Sequence, residues 1–219
     1  FAVIISMGNY MESTLEKLYN SWSNKDKNSI SHDIESGIEK ANVAIDALRS
    51  INFHPRSVVE VGCGYGVVLA KFADAFNPEY AYGIDFSQEA IEFAERHFAS
   101  TAVRYERSQS LNVEDIVAQI RSKAGARTDC VLLFDLLEHI PDCRAFIKAL
   151  GAIADHFVIK LPLEKSFFDN IVWPRKEYPS LIQSNGHVRE FDVNDVHYFI
   201  RRMGLVPVKE GVYVYHKLK

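Results

Sequence analysis

The sequence predicts an α/β fold with a doubly wound, mostly parallel, seven-stranded sheet. Short β-like apolar runs recur along the chain, and stretches with helical periodicity lie between them. The middle runs are almost continuously apolar, as in strands buried on both faces. The first run leads into "GCGYG" (62–66) and then into a helical stretch. A strand, a glycine-rich turn and a helix in this order are typical of a ligand-binding α/β protein.

Five strands are predicted in the central part of the chain: "SVVEVG" (57–62), "YAYGID" (80–85), "AVRYER" (102–107), "DCVLLFD" (129–135) and "HFVIKLP" (156–162). Near the C-terminus, "VPVKEGVYVYHK" is interrupted only around Gly211. This pair predicts a hairpin, which makes the last strand antiparallel.

The helices are predicted from caps and apolar periodicity. Ser87 is the candidate N-cap of a helix that extends to Phe98. Asp192 is the candidate N-cap of a second helix, which ends at Gly204. An apolar face at residues 34–48 predicts a helix before the first strand. We therefore divide the chain into an N-terminal helical cap (1–50) and a domain over 51–219, in which residues 163–190 form an aromatic-rich insert that is expected to act as a lid.

The composition excludes several functions. The 219 residues are 47% hydrophobic and carry a formal net charge of -4, so nucleic acid is an improbable partner. No apolar run is long enough to span a bilayer, and no membrane partner is expected. Three cysteines without paired spacing predict a reducing, cytoplasmic compartment and no metal site. We assign no function to the apolar first residues, "FAVIISMG", because the sequence opens with Phe1 rather than Met.

The glycine loop has separable roles. Gly62 allows the bend, Gly64 lets a ligand approach the backbone, and Gly66 lets the helix pack close to the sheet. The spacing is G-x-G-x-G, and Val67 stands where a dinucleotide site would place its last glycine. Glu60, just before the loop, would repel a pyrophosphate and suit a positively charged ligand.

Asp85 ends the second predicted strand, slightly more than 20 residues beyond the first glycine. An acid at this place accepts hydrogen bonds from a ribose. Asp85 is also placed to act at the start of the next helix, and the two roles are compatible. The glycine loop and Asp85 together indicate that the ligand is a nucleoside whose other end is not a phosphate chain.

With these motifs the sequence resembles the class I S-adenosylmethionine-dependent methyltransferases over roughly residues 55–218. The resemblance is carried by "VVEVGCGYG", "YGIDFS", "DCVLLFDLLEHIPD" and "GHVREFDVNDVHYFIRRMGL". It implies the strand order 3-2-1-4-5-7-6 and S-adenosylmethionine as cofactor, with S-adenosylhomocysteine as product. It also implies the cofactor-binding residues: Glu60, Gly62, Cys63, Gly64 and Gly66 around the methionine part, Asp85 and Phe86 at the ribose and flanking the adenine, Ser108 and Gln109 at the edge of the adenine, and Phe134, Asp135 and Leu136 at the end of the fourth strand. Many relatives carry an acid at about Ser108, so this position departs from the family pattern.

His139 and His187 are the candidate catalytic residues, because an imidazole titrates near neutrality and can act as a general base. His139 could instead occupy a loop before the next helix, and Arg189 could pair with a substrate acid or serve a structural role. Aromatic residues could line the acceptor pocket or simply pack: Tyr19, Trp22, Phe167, Phe168, Trp173 and Tyr178.

The predicted function is methyl transfer to a small-molecule acceptor, with oxygen favoured over nitrogen because two histidines fall near the site. The alternatives are a protein methyltransferase, an RNA methyltransferase, which the net charge disfavours, and a non-catalytic cofactor-binding module. A homodimer is possible from sequence. The glycine spacing disfavours a nucleotide-dependent oxidoreductase.

Overall fold

The computed structural model describes residues 27–163, 187–189 and 191–213. Helices and strands alternate over this part of the chain. The helices are α1 (Lys27–Ser50), α2 (Val67–Phe76), α3 (Gln88–Phe98), α4 (Val113–Ala124), α5 (Cys143–Leu150) and α6 (Val193–Arg202). The strands are β1 (Ser57–Val61), β2 (Tyr80–Asp85), β3 (Val103–Arg107), β4 (Thr128–Phe134) and β5 (Ala154–Lys160).

The sheet has the order β3-β2-β1-β4-β5, and every neighbouring pair is parallel. β1 is central, since Val59 pairs with Tyr82 on one side and with Val131 on the other. The chain winds outward from β1 to β3 and then returns to place β4 on the opposite side of β1. This change of direction between β1 and β4 leaves a crevice at the carboxyl ends of the two strands. Open α/β sheets bind their ligands in such a crevice. The five central strands are confirmed to within two residues at each end.

The predicted C-terminal hairpin is not confirmed. Residues 205–213 of the described chain contain no strand, and the remainder of the predicted last strand lies outside the described residues. Pro207 has no N–H to give to a ladder. Val206 and Val208 are 85% and 76% exposed, so nothing buries the side chains that would fix a strand register. Instead, the Tyr213 hydroxyl donates a hydrogen bond to Glu39 of α1, at 2.8 Å.

The core has one layer on each face of the sheet, which explains the continuously apolar strands. One layer joins α1 and α2 to the sheet through Ala41, Ile45 and Phe72. The other joins α4 and α5 to the opposite face. A Cβ at Gly37 would overlap the Val67 side chain, so α1 and α2 approach closely at this glycine. The predicted apolar face of α1 is confirmed: Ile34, Ile38, Ala41, Ile45 and Leu48.

The predicted helix caps are also confirmed. The Ser87 hydroxyl accepts a hydrogen bond from the Ala90 amide at 3.3 Å. Asp192 accepts from the Asp195 amide at 2.7 Å and forms a reciprocal capping box with that residue.

Residues 164–186 and 1–26 lie outside the described residues, and with them lie most of the predicted lid and its aromatic side chains. Among the helices that the structure does describe, none combines the length and the apolar character needed to traverse a lipid bilayer.

Candidate active site

The glycine loop follows β1 and turns the chain into α2. Gly62, Gly64 and Gly66 have φ values of +76°, +48° and +78°, in the left-handed region that favours glycine. The Gly62 amide donates to the Ile84 carbonyl of β2 at 2.8 Å, which ties the start of the loop to the neighbouring strand. The sequence therefore uses glycine here because the backbone requires it.

The surroundings of the three glycines differ. A Cβ at Gly66 would lie 2.6 Å from the Tyr105 ring and 2.7 Å from the Ala94 methyl group, so this glycine permits close packing. A Cβ at Gly62 would lie 3.1 Å from the Leu136 side chain, across the crevice. A Cβ at Gly64 would meet nothing within 4 Å. Gly64 thus faces open space, as a position approached by a ligand must.

Asp85 lies at the tip of β2, beside the loop. One carboxylate oxygen accepts the Gly64 amide and the other accepts the Ser87 amide, both at 2.8 Å. Burial raises the pKa of this carboxyl, although the backbone amides that it accepts work in the opposite direction. Each carboxylate oxygen has a second lone pair, which leaves acceptor capacity for the two hydroxyls of a ribose.

Glu60 lies beneath the loop. It is 1% exposed, and its carboxylate accepts the Leu69 amide of α2 at 3.0 Å. Burial is the main reason why the pKa of Glu60 is raised well above its ordinary value, and the nearby Asp85 carboxylate raises it further. Burial likewise raises the pKa of the Cys63 thiol, which keeps this cysteine protonated and unreactive. Glu60 therefore holds the first turn of α2, and its contact with a ligand stays a prediction.

The residues predicted at the adenine lie at the tips of β2 and β3. The Ser108 amide donates to the Asp85 carbonyl at 2.7 Å, and the Ser108 hydroxyl donates to the Ser110 carbonyl at 2.6 Å. Gln109 is exposed. The Arg107 guanidinium lies 5.3 Å from the centroid of the Phe86 ring and donates to the Phe86 carbonyl at 3.0 Å. Arg107 thus fixes the aromatic side chain predicted to flank the adenine, a role that the sequence analysis missed.

Phe134 and Asp135 form the tip of β4. Phe134 is buried, while Asp135 has φ +48° and pairs with Lys160 of β5 and with Lys40 of α1, the latter at 2.7 Å. Burial alone would raise the pKa of Asp135, but the two lysines hold the net pKa below its ordinary value. Both lysines were missed, because they are distant in sequence and carry no local signal.

The turn after β4 carries Glu138 and His139, which are 1% and 8% exposed. The structure brings together the two predicted catalytic histidines: the ring centroids of His139 and His187 are 4.8 Å apart, with the rings edge to face. Glu138 was missed, although an acid next to His139 inside an apolar run was a usable signal.

The segment that carries His187 is fixed to this turn by its own neighbours. The Val188 amide donates to the Glu138 carbonyl at 2.9 Å. The Arg189 guanidinium donates to the Leu137 carbonyl at 3.1 Å and to the Pro141 carbonyl at 2.8 Å. These contacts support the structural role for Arg189 over a substrate contact.

An open glycine loop beside an acid at the tip of the next strand, at the switch point of a parallel sheet, is typical of nucleoside-binding α/β enzymes. The profile of the methyltransferase domain family matches residues 34–210. The chain therefore belongs to this family, the S-adenosylmethionine-dependent class I methyltransferases.

The chain is similar to two ubiquinone biosynthesis O-methyltransferases. It is 27% identical over 143 residues to the protein from Neisseria meningitidis serogroup A, which covers 65% of this chain and 55% of the relative. It is 28% identical over 105 residues to that from Actinobacillus pleuropneumoniae serotype 5b, with 45% and 44% covered. The matches thus span about half the length of these curated relatives.

Among solved structures, the chain resembles magnesium protoporphyrin IX methyltransferase from Synechocystis, which was crystallised with S-adenosylhomocysteine. The TM-score is 0.54 and the identity is 18%, over 90% of this chain and 86% of that one. At this identity the likeness shows the shared fold.

The residues of the crevice fit the cofactor of the family. The open side of Gly64 offers the space that a Cβ would occupy, and Asp85 offers acceptors for a ribose. The glycine spacing differs from the G-x-G-x-x-G pattern of sites that bind a pyrophosphate.

Proposed function

We propose that this chain transfers a methyl group from S-adenosylmethionine to an oxygen atom of a small molecule. The observation that carries the proposal is the meeting of the glycine loop and the turn after β4 at one crevice, where Leu136 lies against Gly62. The predicted cofactor residues of the loop and Asp85 follow β1 and β2. His139 follows β4 on the other side, and His187 lies against it from further along the chain.

S-adenosylmethionine supplies a methyl group that is activated by a positively charged sulfur. The work left to the protein is to hold the cofactor and the acceptor in line and to exclude water. Gly64 and Asp85 would hold the nucleoside end, and Phe86, whose position Arg107 fixes, would flank the adenine.

An oxygen acceptor has to lose a proton, whereas an amine can lose its proton to solvent. His139 and His187 lie together beside the crevice and supply the imidazoles suited to this task near neutral pH. The two similar O-methyltransferases support an oxygen acceptor, and the net charge of -4 favours a small molecule over RNA.

The cofactor assignment is tested by titration calorimetry with S-adenosylhomocysteine. We expect Asp85→Ala to weaken binding about tenfold or more, since a buried acceptor for the ribose is lost. Asp74→Ala is the matched control, because Asp74 lies on α2 with a side chain that is 75% exposed. Equal affinities of the two variants would remove Asp85 from the ribose site.

The acceptor assignment is tested with cofactor that carries a labelled methyl group, offered with a metabolite extract, total protein or RNA in parallel. We expect label in small molecules and in methyl ethers or esters rather than in amines. His187→Ala should lower the transfer while S-adenosylhomocysteine still binds. Label only in protein, in RNA or on nitrogen would contradict the proposal, and binding without any transfer would indicate a non-catalytic module.

A further inference from the structure

The geometry points to a divalent metal site formed by Glu138, His139 and His187 on the acceptor side of the crevice. In this inference, the ion binds the oxygen of the acceptor, and the two histidines serve as its ligands instead of accepting the proton directly. The role of the ion rests on the proposed function, whereas the existence of the site does not.

The three side chains offer one carboxylate oxygen and two imidazole nitrogens that all lie within 4.8 Å of one another. Two of them belong to the turn after β4, and the third comes from a segment far along the chain. A metal ion binds such a set through an ionised carboxylate and unprotonated imidazole nitrogens.

The cluster is a constructed site rather than a chance meeting of surface groups. Glu138 and His139 are buried, and His187 is half-buried, which leaves one side accessible. The Val188 amide and the Arg189 guanidinium fix the segment of His187 through hydrogen bonds to the backbone of the β4–α5 connection. A ligand set is thereby held by contacts that do not use the ligand atoms themselves.

The donor set selects the class of ion. Imidazole favours the transition metals and zinc, and carboxylate is accepted by zinc and manganese alike. Ligand atoms on a tetrahedral zinc ion lie about 3.4 Å apart, given bonds of about 2.0–2.1 Å. The spread of 4.8 Å in the structure closes to this value with side-chain shifts of about 1 Å. Zn²⁺ is the first candidate and Mn²⁺ the second.

Asp135 is not a fourth ligand, although it lies three residues before Glu138. Its two carboxylate oxygens bind Lys160 and Lys40, so its charge is already balanced. Three protein ligands leave a coordination position open, as in catalytic metal sites. A hydroxyl bound there would have a lowered pKa and would release its proton to water.

The location explains why such a site would matter. Leu136 packs against Gly62 of the cofactor loop, and Glu138 and His139 follow within the same turn. An acceptor oxygen held by the cluster would therefore lie on the crevice side opposite to the ribose-binding Asp85.

The test is metal binding by the full chain, freed of metal with a chelator and titrated by calorimetry with Zn²⁺ and, separately, with Mn²⁺. We expect one equivalent per chain for at least one ion. His187→Ala should weaken this binding at least about 100-fold, and Glu138→Gln should weaken it as well. The matched control is His197→Ala, because His197 lies on α6 and pairs with Glu210 at 3.2 Å, outside the cluster.

Two outcomes would overturn the inference: no stoichiometric binding of either ion, or binding that His187→Ala leaves unchanged. Circular dichroism of each variant shows whether it folds. If His187→Ala does not fold, Glu138→Gln, which preserves the side-chain volume, takes its place in the test. Metal binding without affinity for S-adenosylhomocysteine would support the site and refute the proposed function. Affinity for S-adenosylhomocysteine without metal binding would refute the metal site and leave the proposed function supported.

Discussion

Substitution of Gly66 by alanine should destabilise the fold far more than the same change at Gly64. At Gly66, φ is +78°, which costs an alanine about 1–2 kcal/mol. The added Cβ would also lie 2.6 Å from the buried Tyr105 ring and 2.7 Å from Ala94. Overpacking of this kind costs about 1–3 kcal/mol, which gives a total loss of about 2–5 kcal/mol.

The Tyr105 ring cannot easily yield, because its hydroxyl donates to the Gly66 carbonyl at 2.8 Å. At Gly64, by contrast, φ is +48° and a Cβ meets nothing within 4 Å, so only the backbone penalty of about 1–2 kcal/mol applies. Gly64→Ala should instead weaken S-adenosylhomocysteine binding at least about tenfold, because its Cβ would fill space that the ligand needs.

Urea unfolding of the two variants measures the free energies, and calorimetry measures the affinities. Our assignment of roles within the loop would be refuted if both variants lost equal stability. It would also be refuted if Gly64→Ala, once folded, bound the ligand as tightly as the wild type does.

The remaining predictions concern two acids with opposite pKa shifts. Burial raises the pKa of Glu60, so the stability of the wild type should fall as pH rises from the unfolded value of about 4.5 through the raised folded pKa. Glu60→Gln keeps an acceptor for the Leu69 amide and should remove this slope in unfolding measured across pH. The lysine partners lower the net pKa of Asp135 in the folded protein. The ionised carboxylate should therefore stabilise the fold above a pH of about 4, and this stabilisation should be lost as the pH falls through the pKa of the folded state. Asp135→Asn tolerates the positive φ and should cost about 1–3 kcal/mol at pH 7 but little in acid.

Each acid also has an outcome that would contradict the reasoning. An unchanged pH slope in Glu60→Gln would mean that another group causes it. A loss of stability in Asp135→Asn that is equal at neutral and acidic pH would mean that packing, rather than charge, is what the variant loses.

Local sequence patterns predicted much of the fold because the underlying forces are local. Ser87 and Asp192 start helices through hydrogen bonds to amides three residues away. The glycines of the 62–66 loop are needed because the backbone of that turn has positive φ values. The five central strands could be predicted because burial on both faces leaves a continuous apolar run.

The missed features depend on contacts between distant parts of the chain. Lys40 of α1 reaches Asp135 only after the sheet and the helix have packed. β1 is apolar on both faces, so no alternation could show that Glu60 turns towards α2. The strand before Gly211 was predicted from β-like residues, and the exposure of Val206 and Val208 explains why this propensity does not make a strand there.

The contact of Leu136 with Gly62 has a consequence for engineering. The segments that follow β1 and β4 touch at this point. Under the proposed function, a substitution there that changed the acceptor side would therefore also disturb the loop that holds S-adenosylmethionine. Attempts to change which compounds are modified should therefore leave this leucine in place.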